Sequence, residues 1–281
     1  MSSTSNLSFK QLAIPHFGDV FALIDDVLQR QQVPYYLIGA NALSLQLLRQ
    51  GEPPIRATKD IDFAVMVSSF DQYDAVRDEL LATGFHEAQL PYTLRHVEYN
   101  VVIDLLPFGK IEEKDKVRFH ERQVDLVVLG FKEILSEAET IMLESQEISV
   151  PPLPGIVLLK LISWSDRPEM RSSDLDDIYH IITVYHDLSF DEITEQHSEL
   201  LLSEPYDTKL IAARLLGRKM APILQKSATL LDRISQVLRE QQNTSRQSGI
   251  AMRWAQNYQL SLKDAGQLLG EMRKGIEDSA Q

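Results

Sequence analysis

The sequence predicts an α+β N-terminal half, a mixed sheet flanked by helices, followed by an all-helical C-terminal half. Three observations carry this. Up to about residue 150, short apolar runs bounded by Gly, Pro and Ser alternate with segments of helical spacing. Pro151, Pro152, Pro154 and Gly155 then break the chain, and beyond them every apolar pattern repeats at helical spacing. Within the first half, Asp60-Ile61-Asp62-Phe63-Ala64-Val65 reads as a strand that starts with two acids and continues apolar. The expected domains are residues 12–150 and 151–281.

Taken in order, Phe17 to Arg30 carries Val20, Phe21, Leu23, Ile24, Val27 and Leu28, the apolar stripe of a helix that Pro34 ends. Tyr35-Tyr36-Leu37-Ile38 is a short buried strand. Gly39 follows it, and Ala40 to Arg49 is again helical, so a glycine stands at a strand-to-helix joint. Gly51, Pro53 and Pro54 make a loop before the acidic strand, which runs through Val67. Ser68 or Ser69 is placed to cap a helix from Phe70 to Ala82 that Thr83-Gly84 stops. Phe85–Gln89, Tyr92–Tyr99 and Val101–Leu106 read as strands, the last closed by Pro107 and Gly109. A strand within Phe119–Leu129, a short helix from Phe131 and an extended piece at Glu147–Val150 complete this half. Helices are expected at 156–165, 173–185, 191–201, 207–216 and 222–239, with two more to the end, and 240–245 reads as a linker or exposed turn.

Composition narrows the class. The 281 residues are 44% hydrophobic and 25% charged, ordinary for a globular protein with room for a real core. There is no cysteine, which removes disulfides and thiolate metal sites and suits a reducing cytoplasm. Met1 to Asn6 is Ser-rich without a basic-then-apolar order, and no apolar run nears the ~20 residues of a membrane span; the expectation is a cytoplasmic protein with no membrane partner. The net charge of −13 is uneven. Residues 206–281 hold 12 Lys+Arg against 7 Asp+Glu, a balance of +5, and the other 205 hold 16 against 34, a balance of −18. The basic tail is compatible with an anionic polymer, though solvated helix faces give the same count.

The chemistry concentrates in three places. Side chains alternate along a strand, so Asp60 and Asp62 point the same way, roughly 7 Å apart. Two acids on one side repel unless a cation lies between them, and hard Mg²⁺ takes carboxylate oxygens together with substrate phosphates. Alone, such a pair is more often a solvated strand rim. Asp104 is an acid inside Val101-Val102-Ile103-Asp104-Leu105-Leu106, where an unpartnered charge is expensive; a metal shared with Asp60 and Asp62, or an ion pair with Arg56, Arg95 or Lys110, would satisfy it. Gly39 opens a helix whose first N–H groups are free, a place where phosphate can approach closely. His86, His96, His120, His180 and His186 show no zinc-ligand spacing.

Four blocks occur in order: Leu37-Ile38-Gly39-Ala40-Asn41-Ala42; Arg56-Ala57-Thr58-Lys59-Asp60-Ile61-Asp62; Val102-Ile103-Asp104-Leu105-Leu106-Pro107-Phe108-Gly109; and Leu159-Lys160-Leu161-Ile162-Ser163-Trp164-Ser165-Asp166-Arg167. The last continues into Ser173-Asp174-Leu175-Asp176-Asp177-Ile178-Tyr179. Together they resemble the AbiEii/AbiGii family, nucleotidyltransferase toxins of abortive-infection type within the polymerase-β-like nucleotidyltransferase superfamily. The resemblance spans roughly residues 20–220.

The resemblance implies a metal-dependent nucleotidyltransferase acting on RNA such as tRNA, the toxin half of a toxin–antitoxin pair with a cognate antitoxin. A small-molecule acceptor such as an aminoglycoside, a protein acceptor, or a degenerate nucleotide-binding module are the rival readings. By resemblance, Asp60, Asp62 and Asp104 bind Mg²⁺ or Mn²⁺ carrying a nucleoside triphosphate, and Asp104 also helps deprotonate the acceptor hydroxyl. Gly39, Ala40 and Asn41 hold the β/γ-phosphates, with Arg56 and Lys59 beside them. Lys160 reaches the triphosphate, Asp174 or Asp177 orients it or contacts the nucleotide, and Arg167 is a further phosphate ligand. Without the resemblance, Lys160 reads as a lysine snorkelling from an apolar helix, and the aspartates as first-turn acids favoured by the macrodipole. The wider superfamily has Gly-Ser where this chain has Gly39-Ala40, so the missing hydroxyl leaves backbone amides, Asn41 or Ser44 for the phosphate contact.

Overall fold

A computed structural model describes residues 7–12, 14–56, 58, 60–202, 204, 206–242 and 249–279. The chain divides into two compact units, residues 1–152 and 153–281. In the first, a 3₁₀ turn at Phe9–Leu12 precedes α1 (Phe17–Arg30), β1 (Tyr35–Ile38), α2 (Gly39–Arg49), β2 (Asp60–Val67), α3 (Phe70–Ala82), β3 (Phe85–Glu87), β4 (Thr93–His96) and β5 (Val101–Gly109). After these come β6 (Lys116–Phe119), β7 (Val124–Val127), α4 (Phe131–Leu135), β8 (Glu139–Leu143) and β9 (Gln146–Val150).

Five strands form one mixed sheet in the order β1-β2-β5-β4-β3. Only β2 and β5 run parallel; β1–β2, β4–β5 and β3–β4 are antiparallel. The parallel pair fixes the geometry of everything that follows, because its crossover carries α3 and the β3–β4 hairpin. Alternation along β2 and β5 separates two faces. Odd-numbered residues (Ile61, Phe63, Val65, Ile103, Leu105) are buried, and the rings of Phe21 on α1 and Tyr35 on β1 lie 6.0 and 6.1 Å from that of Phe63. Tyr73 of α3 donates its hydroxyl to the Leu105 carbonyl at 2.9 Å. On the even-numbered face, Phe108 is covered by Tyr36 and by Phe131 of α4, with ring centroids 6.2 and 5.7 Å away. The opposite end of that face holds the aspartates.

Local signals explain the boundaries. Ser69 caps α3 by accepting from the Gln72 amide at 3.2 Å, and Ser68 bonds the Gln72 side chain in return. Some expectations are corrected. Pro107 does not close its strand: β5 continues to Gly109, and Pro107 pairs with Val65, its missing N–H tolerated by the register. Residues 119–129 are half of a hairpin, β6–β7, turned through Gln123 at φ 52°. The extended piece near 147 is the second strand of a hairpin whose first strand, β8, has too little alternation to declare itself.

The second unit contains α5 (Leu153–Asp166), α6 (Ser172–Leu188), α7 (Phe190–Gln196), a 3₁₀ turn at Ser198–Leu202, α8 (Thr208–Leu224), α9 (Ala228–Gln241), α10 (Gly249–Tyr258) and α11 (Leu262–Asp278). Pro222 does not begin a helix, as expected, but sits in the last turn of α8; Ser227 caps the next helix instead. Residues 240–242 finish α9, and the rest of the expected linker, 243–248, lies outside the described residues. Helices α8 and α11 cross at two glycines. A Cβ on Gly217 would lie 2.0 Å from the Met272 carbonyl oxygen, and one on Gly275 2.0 Å from that of Arg214. The basic residues of this region are largely engaged internally. Arg214 and Arg218 both bond Asp278, Arg214 also holds Glu271, Arg218 holds Glu199, and Arg253 holds Asp176. Of the described cations in this region, Lys226, Arg239, Lys263 and Lys274 are exposed.

Candidate active site

The β1–α2 joint has no intervening loop: the strand ends at Ile38 and the helix begins at Gly39. Gly39 is required there for two reasons. Its φ of 68° is the left-handed region, and a Cβ would lie 2.0 Å from Asp62 Oδ2. The Asp62 carboxylate thus rests against the start of α2. No side chain caps this helix, so its first amides and its partial positive end are directed at the same corner of the sheet. Ala40 leaves that corner without a hydroxyl. Asn41 is buried; its Nδ2 donates to the Asp60 carbonyl at 2.9 Å, tying α2 to the head of β2, while its Oδ1 is buried with no partner among the described residues. Ser44 donates to the Ala40 carbonyl at 3.0 Å, within its own helix.

Asp62 pairs in register with Asp104 across the parallel β2–β5 ladder. In-register neighbours share a face and lie about 4.8 Å apart, so two half-buried carboxylates stand side by side. Asp60, two residues earlier on the same face, is exposed and pairs with Val102. On the far side, Thr93 of β4 pairs with Asp104 and donates its hydroxyl to Asp104 Oδ1 at 2.5 Å. Sequence reading missed Thr93, because nothing short of the strand register joins it to Asp104. Arg56 is exposed on the loop leading into β2 and has interactions of its own, and Lys59 lies outside the described residues.

Among the described residues no three His, Asp or Glu side chains are arranged to hold a metal ion. The donor set present is a side-by-side carboxylate pair with a third carboxylate at its rim. That suits Mg²⁺, which is held by one or two protein carboxylates and completes its octahedron with substrate phosphates and water.

The second unit holds its own charged cluster. Lys160 on α5 is 4% exposed, and its Nζ donates to Asp174 Oδ1 at 3.1 Å and Asp177 Oδ2 at 2.7 Å. Asp174 and Asp177 share one face of α6 at i,i+3 spacing. Burial disfavours the ammonium, but the two carboxylates outweigh it and hold the Lys160 pKa above its usual value. Asp174 Oδ2 is buried without a partner among the described residues. Asp176 faces elsewhere: Arg253 and Asn257 of α10 bond it, and they keep its carboxyl low against the cost of burial. Arg167, half-buried just past α5, bonds neighbouring Asp166 at 3.3 Å. Trp164 and Tyr179 are core residues.

No curated protein matches the chain. Among solved structures, a nucleotidyltransferase-like antigenic protein from Paracoccidioides brasiliensis is 17% identical, with a TM-score of 0.41, over 82% of this chain and 94% of that one. The antibiotic-resistance factor ANT(2″)-Ia is 9% identical, TM-score 0.40, over 70% of this chain and 96% of its own. JHP933 from Helicobacter pylori is 15% identical, TM-score 0.38, covering 98% and 96%. The family model described as "Nucleotidyl transferase AbiEii toxin, Type IV TA system" matches residues 22–271, and the chain belongs to that family of nucleotidyltransferases.

Proposed function

We propose that this nucleotidyltransferase uses Mg²⁺ or Mn²⁺ to move a nucleotide from an NTP onto a hydroxyl of RNA, with the 3′ end of tRNA as acceptor. The observation that carries the reading is the Asp62–Asp104 register pair set against the uncapped start of α2. In the proposed reaction the acceptor oxygen attacks the α-phosphorus, a P–O bond forms, and pyrophosphate leaves with the electron pair of the broken bond. The acceptor's proton passes to Asp104. Asp60 and Asp62 hold the metal with Asp104, and the amides of Gly39, Ala40 and Asn41 receive the β- and γ-phosphates. The metal, when bound, supplies charge neutralisation for the triphosphate and a polarised attacking oxygen. Arg56 and Lys59, just before the aspartates in sequence, would bind the nucleotide. Lys160 and Arg167 belong to the fourth block of the resemblance and Asp174 and Asp177 to the acidic helix that continues it; the ion pairs of Lys160 with both aspartates support a positioning role for this cluster.

As a type IV toxin the enzyme has a cognate antitoxin, and a cytoplasmic setting follows from its need for NTP and RNA. No helix among the described residues is long and apolar enough to cross a membrane. A second reading, transfer to a polycationic aminoglycoside, is favoured by the −18 balance of the first 205 residues. Incubation with each α-labelled NTP and separate pools of tRNA, protein and aminoglycoside tests both. Label on tRNA that depends on divalent metal and on Asp62 is the expected result; label only on the aminoglycoside would overturn the RNA acceptor.

A further inference from the structure

We infer that Thr93 is a positioning residue for the transfer reaction: its hydroxyl fixes the Asp104 carboxylate in the orientation that receives the acceptor's proton. The inference rests on the reading of Asp104 given above and deepens it.

The contact is a short one. Thr93 Oγ1 lies 2.5 Å from Asp104 Oδ1, the length of a hydroxyl donating to an ionised carboxylate. It is also imposed by topology. Thr93 on β4 and Asp104 on β5 are register partners in an antiparallel pair, so their side chains emerge on the same face. Asp62 flanks Asp104 on the other side, in register on β2. The three side chains form a row across three neighbouring strands, with Asp104 between a like charge and a donor.

The backbone that carries the donor is tied on both sides. The Thr93 amide donates to the Leu90 carbonyl at 3.1 Å, and its carbonyl accepts from the Ala88 amide at 3.2 Å, both inside the β3–β4 turn. One residue earlier, the Tyr92 carbonyl accepts from the Leu105 amide at 2.8 Å, locking the turn to β5 next to Asp104. A hydroxyl held on such a frame has few alternatives to the carboxylate facing it, which is how a supporting residue defines a reacting group's geometry. A general base must present its lone pair to the incoming hydroxyl, and the Thr93 hydroxyl engages one oxygen of Asp104 and so orients the other. In the reading above NTP binding is shared among Asp60, Asp62, Asp104 and the α2 start, and losing the Thr93 hydroxyl leaves every one of these groups in place, so the loss falls on the chemical step more than on NTP affinity.

The test uses Thr93→Val, which keeps shape and strand preference while removing the hydroxyl, and Thr93→Ser, which restores it. In the full chain, with tRNA and Mg²⁺·NTP, Thr93→Val is expected to lower kcat about tenfold or more with KM for NTP unchanged, and Thr93→Ser to recover most of the loss. A crystal structure of Thr93→Val is expected to show the Asp104 side chain in a different rotamer from wild type, with the same rotamer as wild type in Thr93→Ser. An unmoved Asp104 in Thr93→Val overturns the inference, as does a rise in KM at unchanged kcat. Wild type that labels no tRNA would count against the acceptor, and the Asp104 rotamer would still decide the role of Thr93.

Discussion

Asp62 and Asp104 stand side by side on the only parallel strand pair of the sheet, each bearing a carboxylate at the same level of the same face. If the pair holds the metal, its removal should cost activity far more than it costs stability. Asp62→Asn and Asp104→Asn are each expected to unfold within about 1 kcal/mol of wild type in metal-free buffer, by thermal melting. Nucleotide transfer should fall by about 100-fold or more in either variant, since each removes a charge the reaction requires. A large loss of melting temperature together with activity would assign the pair a structural role.

Gly39 provides a second, geometrically sharper test. An alanine there must accept a φ of 68° and place its Cβ 2.0 Å from Asp62 Oδ2. The backbone term alone is about 1–2 kcal/mol, and the displaced carboxylate adds to it. Gly39→Ala should lose transfer activity and stability together. Asp62→Ala in the same chain should recover the stability that the collision removed and none of the activity. A double-mutant cycle by urea unfolding measures that coupling directly, and additive effects would show that the two residues do not meet.

What the sequence disclosed follows from where its information is local. The α1, β1, β2 and α3 boundaries are visible because Pro34, Gly39, Ser69 and Thr83 stop or start each element by their own chemistry. The face shared by Asp60 and Asp62 follows from strand alternation alone. By contrast, that Asp104 lies beside Asp62 and that Thr93 lies beside Asp104 are properties of register between strands distant in sequence. The buried state of Lys160 is of the same kind, because an isolated apolar helix with one lysine reads as a snorkelling side chain. Only the return of α6 shows two carboxylates closing over it. Pro222 misled for a physical reason: proline is at home in the first turn of a helix, where its missing N–H has no partner to lose, and so reads as a start, whereas here it stands in the last turn of α8, two residues before that helix ends.

The Arg214–Asp278–Arg218 bridge between α8 and α11 gives the second unit an acid-sensitive element. A hydrogen bond from Arg214, opposed by burial and helped by a further hydrogen bond from Arg218, holds the Asp278 carboxyl down to about 2. A carboxyl depressed in the folded state contributes stability above its unfolded value near 4 and loses it as pH falls through its folded value. Stability should therefore drop between about pH 4 and pH 2, and Asp278→Asn should flatten that segment while lowering stability at neutral pH. Chemical unfolding followed across this range reads the difference between the two chains. Identical pH slopes would show that the bridge contributes nothing.

Lys160 distinguishes a structural from a chemical role most directly. Removing the ammonium takes from buried Asp174 and Asp177 the cation that bonds them both, and breaking a buried ion cluster in this way costs about 3–5 kcal/mol. Lys160→Met is expected to be severely destabilised, and its loss of activity alone would be uninformative. Replacing all three charged groups, in Lys160→Met with Asp174→Leu and Asp177→Leu, removes the buried carboxylates as well and should recover most of the stability, since apolar substitutes often equal a buried ion pair. Calorimetry establishes whether that recovery occurs. If the refolded triple variant transfers nucleotide, the cluster is a structural pin of α5 to α6. If it folds but transfers nothing while still binding Mg²⁺·NTP, the charged cluster acts on the reaction itself, and the lysine is retained for chemistry that no apolar core can replace.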